Sequence, residues 1–138
     1  MKFAQDIDDH IYHVHGFNDE GIEIAIPSGA SRPKIEPIDG IITLSESFVI
    51  APLLLIEEWD VRQVNGLANE QAITPLLALD IEILILGSGE KLTFPEASLL
   101  ASFMQEGVGV EVMDSRAACR TYNLLSGEGR KVAAAIIL

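Results

Sequence analysis

The chain has 138 residues, 21 acidic against 9 basic side chains, and a formal net charge of −12. That field repels a phosphate backbone or an anionic bilayer, so neither nucleic acid nor membrane is an expected partner. The length suits a single domain spanning residues 1–138. The lone cysteine, Cys119, excludes an internal disulfide and fits a reducing compartment.

Residues 1–10 (MKFAQDIDDH) lack the apolar stretch of a secretory signal. The apolar run at residues 50–56 falls far short of the ~20 residues that a spanning helix needs. The expected location is cytoplasmic. Residues 10–15 (HIYHVH) alternate weakly and hold bulky β-formers. Residues 17–21 (FNDEG) supply a turn, and residues 21–26 (GIEIAI) alternate cleanly, so a hairpin is expected here. Three prolines and two glycines make residues 27–40 a loop, and short strands follow near residues 41–44 and 48–51. Trp59 comes after the apolar run and two glutamates, placed for core packing or as a lid on the sheet.

The second half changes grammar. Residues 69 or 70 to 77 read as a short helix carrying Pro75. Residues 81–86 (IEILIL) read as a strand covered on both faces. Pro95 suits the first turn of a helix ending near Gln105, bracketed by Gly107 and Gly109. Residues 108–113 form the next strand. Asp114 or Ser115 caps a helix that runs to about Ser126 and stops at Gly127 and Gly129. Residues 131–138 are a last apolar strand. This alternation implies an α/β fold with a mostly parallel mixed sheet flanked by helices in three layers, the N-terminal hairpin being added to it. Ligands of such sheets bind beyond the carboxyl ends of the strands. The loops 87–91 and 114–116 are therefore expected to lie together and to form any site.

The loop GSGEK (residues 87–91) invites a phosphate-binding reading, because glycine-rich turns present backbone amides. It matches neither GxxxxGK[ST] nor a dinucleotide fingerprint, which needs glycine where Leu92 stands. A tight turn explains it. Ser88 and Lys91 also form an S-x-x-K string, as do Ser31 and Lys34, without the S-D-N and K-T-G partners of that chemistry. His13 and His15 are placed on one strand face and His10 on the other. A metal would need Asp6, Asp8 or Asp9 as well, and a polar hairpin surface accounts for them more simply. No metal and no cofactor is expected.

Cys119 falls in the second turn of its helix, beyond the reach of the N-terminal dipole, and borders the apolar stripe of Ala118, Tyr122 and Leu125. A buried structural thiol is favoured over a nucleophile. Arg116, Arg120 and Asn123 are spaced to share another face. The two arginines are suited to grip an anion, to bind a partner carboxylate, or to pair with Asp114 and Glu111. The expected patch therefore comprises Gly87, Ser88, Gly89, Lys91, Met113, Asp114, Arg116, Arg120, Tyr122 and Asn123.

The strings LILGSGE, GVGVEVMDSRAACRTYNLL and GEGRKVAAAIIL, with the stretch from Pro52 to Trp59, resemble a family of small domains of unknown function. That family includes bacterial and archaeal proteins, an adipogenesis-associated animal protein and a mitochondrial assembly factor for respiratory complex I (NADH–ubiquinone oxidoreductase). Ser88 and Ser115 stand where the family carries GTG and MDT. The resemblance implies a three-layer α/β domain with no established enzymatic activity and no known cofactor. It carries over Gly87, Gly89, Met113, Asp114, Arg116, Cys119, Arg120, Tyr122 and Asn123 as a functional patch. The assembly factor acts through protein partners. Two readings follow. One is a module that binds a protein or a small anionic ligand. The other is an enzyme using Asp114, Arg116 and Arg120 with Ser88 or Cys119 as nucleophile.

Overall fold

The computed structural model describes residues 10–31 and 33–138. Strand β1 (His13–Asn18) turns through Asp19 and Glu20 into β2 (Gly21–Ala25), which pairs in turn with β3 (Ile41–Leu44), all antiparallel. Asn18 makes the turn. Its side-chain oxygen accepts from the N–H groups of Glu20 at 2.8 Å and Gly21 at 3.0 Å. The hairpin is thus present, but β1 starts later than expected and runs through Phe17 and Asn18. The start is late because Tyr12 N–H leaves the hairpin and donates to the Pro52 carbonyl at 2.9 Å, and past it a bulge at His15 shifts the register from Val14↔Ile24 to Gly16↔Glu23. The extra residue lets Val14 and Phe17 both join the core, opposite Ile24 and Ile22. It also interrupts the two-residue alternation that put His13 and His15 on one face.

The main sheet has five strands: β4 (Phe48–Ala51), β5 (Leu54–Ile56), β6 (Ile83–Gly87), β7 (Gly109–Met113) and β8 (Val132–Ile136). Their order is β5-β4-β8-β6-β7. Strands β7, β6 and β8 are parallel, while β4 runs antiparallel to β8 and β5 antiparallel to β4. The sheet is mixed, in keeping with the expected fold class. Strand β5 was not anticipated: three residues inside an apolar run carry no alternation to read.

Alternation along the buried strands builds two cores. From β8, Val132, Ala134 and Ile136 face one side, with Ile85 and Phe48 from its neighbours. Helix α3 (Ser115–Gly127) and the three-stranded sheet close that side. Ala133 and Ala135 face the other, with Leu84, Leu86 and Val49. There they meet helices α1 (Glu70–Leu77) and α2 (Ala97–Gln105), Trp59, and Leu67 of a 3-10 turn at Val64–Ala68. Trp59 is buried and donates its indole N–H to the Ala72 carbonyl at 2.9 Å, so it belongs to the core and is no lid. Among the described residues no helix is long and apolar enough to cross a membrane.

Candidate functional site

The two loops at the carboxyl ends of β6 and β7 converge, as the strand–helix–strand pattern requires. Ser88 N–H donates to the Met113 carbonyl at 2.9 Å, and Ser115 N–H donates to Gly89 at 2.8 Å. The Ser115 hydroxyl joins three elements. It donates to the Ile137 carbonyl at 2.6 Å and accepts from Gly89 N–H at 2.9 Å. Gly87 allows this closeness: a Cβ there would stand 2.9 Å from the Ser115 hydroxyl and 3.1 Å from the Ala118 methyl. Gly89 serves differently, holding a φ of +113° that side chains resist. Ser115 is the residue that sequence reasoning undervalued, treating it only as a cap. Its signal was a small hydroxyl at a helix start facing a glycine pair.

The Ser88 hydroxyl is occupied within its own loop, donating to the Lys91 carbonyl at 2.7 Å and accepting from Thr93 N–H at 3.0 Å. Lys91 itself is exposed. Asp114 is the N-cap of α3, accepting from Ala117 N–H at 3.0 Å. Met113 is half-buried against the α3-side core.

Helix α3 sorts the remaining residues by face. Ala118, Cys119 and Tyr122 are fully buried. Burial pushes the Cys119 thiol up to about 12, against the weaker downward pull of Arg120 and Arg116. Burial likewise raises the Tyr122 hydroxyl, which donates to the Tyr12 carbonyl at 2.8 Å. Asn123 does not share a surface with the arginines. Its amide grips the backbone of Val14 in β1, accepting from the N–H at 2.9 Å and donating to the carbonyl at 2.8 Å. Tyr122 and Asn123 therefore face inward and tie α3 to the hairpin. The two groups considered as nucleophiles, Ser88 and Cys119, are respectively bonded within a loop and sealed in the core.

Arg116 and Arg120 remain exposed. The guanidinium carbons lie 4.8 Å and 6.0 Å from the centre of the Phe17 ring, in cation–π range. Among the described residues neither forms an ion pair, so the pairing with Asp114 and Glu111 is not made. Arg116 also lines a cleft of ≈ 520 Å³ between the hairpin turn and the start of α3. The cleft takes in Gly89, Glu90, Asp114 and Ser115, but not Lys91 or Arg120. Among the described residues, four carboxylates, Asp19, Glu20, Glu90 and Asp114, line it against the one guanidinium, that of Arg116. Among the described residues no three histidine, cysteine, aspartate or glutamate side chains are grouped to hold a metal ion. Asp6, Asp8 and Asp9 lie outside the described residues.

A hairpin-extended three-layer α/β domain with a Gly-x-Gly turn locked to a serine-bearing helix start is the class of protein that this geometry defines. The chain belongs to the family described as "Protein of unknown function (DUF498/DUF598)", whose model matches residues 37–137. It is 35% identical over 106 residues to NADH dehydrogenase (ubiquinone) 1 alpha subcomplex assembly factor 3 of Danio rerio. The match covers 76% of this chain and 60% of that protein, so the chain spans less than two thirds of the relative's length. Among solved structures, an NMR structure of a Xanthomonas campestris protein is 31% identical, with a TM-score of 0.69 over 99% of this chain and 92% of that one. A Bordetella pertussis protein described as an Mth938-like domain shares the fold, with a TM-score of 0.70 at 24% identity over 99% and 92% of the two chains.

Proposed function

We propose that the chain is a protein-interaction module of the assembly-factor kind, and that it receives a partner through the surface formed by Arg116, Arg120 and the adjoining cleft. The observation that carries this reading is the arginine pair. In a chain with few cations, two guanidinium groups sit one helical turn apart, exposed, stacked on one ring and without an ion pair among the described residues. A cation–π contact leaves N–H donors for a carboxylate, which is how arginine serves at interfaces. Four carboxylates in the cleft disfavour a small free anion there. A protein segment presenting an acidic side chain to the arginines and a basic or neutral one to the cleft fits both. The naming of the zebrafish relative as an assembly factor agrees with a protein partner. The cytoplasmic location belongs to this proposal too, resting on the sequence alone.

Affinity capture with chemical cross-linking tests it, using the full chain and the double variant Arg116→Ala, Arg120→Ala. The expected result is a partner cross-linked near residues 114–120 in the wild type and lost at least about tenfold in the double variant. An identical set of partners from both proteins, with equal yield, refutes the reading.

A further inference from the structure

On the side of the main sheet opposite α3, the helical layer leaves a groove of ≈ 470 Å³. Val64, Leu67 and Ile73 contribute from the 3-10 turn and α1. Phe94, Pro95 and Leu99 contribute from the approach to α2 and its first turn. Phe94 is 66% exposed; outside the lining, Leu92 just before it in the chain and Met104 of α2 are 54% and 69% exposed. A large aromatic ring left in water in the wall of an apolar groove is a feature of an interaction surface.

Charge identifies what the groove receives. Among the described residues, Glu96 is the only ionisable one lining it. Residues 64–77 and 93–106, which make up the 3-10 turn and both helices with the approach to α2, hold Glu70, Glu96 and Glu106 and not one lysine, arginine or histidine. A second copy of the chain would bring the same glutamates and another net charge of −12, so like charges would meet. An anionic bilayer is repelled for the same reason. The walls come from the 3-10 turn, the two helices and the extended approach to α2, with no strand among the described lining residues, so the fit is a helix laid in a groove, not an added strand.

We propose that this groove docks an amphipathic helix of a partner protein, apolar on one face and flanked by lysine or arginine. It is a second surface, independent of the arginine pair. The test uses the full chain and a synthetic amphipathic peptide of roughly 18 residues, with leucine and phenylalanine on one face and lysine on its flanks. A control peptide carries glutamate in place of each lysine. Backbone amide shifts are followed by NMR during titration. The expected result is saturable shifts confined to residues 64–73 and 93–102, with the glutamate peptide binding at least about tenfold more weakly.

Phe94→Ala should weaken the lysine peptide about tenfold. Glu96→Lys should weaken it as well and should improve binding of the glutamate peptide. Both changes alter exposed side chains, so folding is retained. The double variant Arg116→Ala, Arg120→Ala should bind the lysine peptide normally. Absence of saturable shifts, shifts elsewhere, or equal binding of both peptides overturns the proposal. So does a concentration-dependent dimer that moves the same amides, or binding of the wild type to anionic vesicles that Phe94→Ala abolishes.

Discussion

Asn123 shows how one side chain can hold two elements that the sequence separates by more than a hundred positions. Its amide offers one acceptor and two donors, and it engages both backbone polar groups of Val14, the N–H and the carbonyl, beside the β1 bulge. Without it, a buried N–H and a buried carbonyl lose their partners. Each such loss costs about 1–3 kcal/mol. Asn123→Ala should therefore lower stability by about 2–6 kcal/mol, read as a reduced midpoint in urea with unchanged slope. Tyr122→Phe, which removes one bond to the Tyr12 carbonyl, should cost less, about 1 kcal/mol. If Asn123→Ala is no worse than Tyr122→Phe, the clamp is not what holds α3 to the hairpin.

At the scale of elements, the contact that matters most is α3 on the end of β6. Gly87→Ala would force a methyl to within 2.9 Å of the Ser115 hydroxyl and 3.1 Å of Ala118. Either α3 lifts or the Gly89–Ser115 bonds lengthen, at about 1–3 kcal/mol. The amide of Gly89 should then exchange with deuterium faster than in the wild type, while the amides of β8 remain protected. Unchanged Gly89 protection would show that the helix start tolerates the methyl. This level is also where sequence reading divides into what it reached and what it missed. GIEIAI and the apolar IEILIL announced their strands, and Gly107 and Asp114 marked helix ends, because each signal is local; Pro95, expected in the first turn of α2, instead precedes its N-cap, Glu96. The convergence of loops 87–91 and 114–116 followed from the strand–helix–strand pattern. The late start of β1, the three-residue β5 and the inward turn of Asn123 were hidden. They depend on the Tyr12 bond to Pro52, on a strand too short to show a period, and on a partner far along the chain. The arginines were placed on one face by spacing, but the Phe17 ring beneath them comes from a hairpin whose register no local rule gives.

The whole molecule answers to pH through groups buried in the layer between α3 and the main sheet. The unfolded thiol ionises near its ordinary value of 9.0, whereas in the folded chain Cys119 holds its proton to about 12. Above the lower value the unfolded chain binds fewer protons, so the stabilisation is complete below about pH 9 and is lost as pH rises toward 12. Tyr122 and Tyr12, both raised by burial, act in the same direction at higher pH. Urea melts between about pH 8 and about pH 10 should show stability falling, with a slope approaching on the order of 1 kcal/mol per pH unit near the upper end. Cys119→Ala should flatten that part of the curve while leaving the tyrosine contribution above it. An equal slope in both proteins would place the alkaline sensitivity elsewhere. At this scale the molecule also has two surfaces of opposite character on opposite sides of one sheet. An exposed guanidinium pair lies on the α3 side, and an apolar groove with Glu96 in its wall lies on the other.

Strand β8 lies between β4 and β6, yet it follows both of them, and β7, along the chain. During synthesis, therefore, β4, β6 and β7 all emerge before the strand that joins them. Until residues 132–136 clear the ribosome, β4 and β6 each present an open edge and neither core has its middle. The nascent chain then has its most apolar strands paired on one side at most, a state prone to wrong partners. The alanine-rich β8, slim enough to lie between them, completes both layers together.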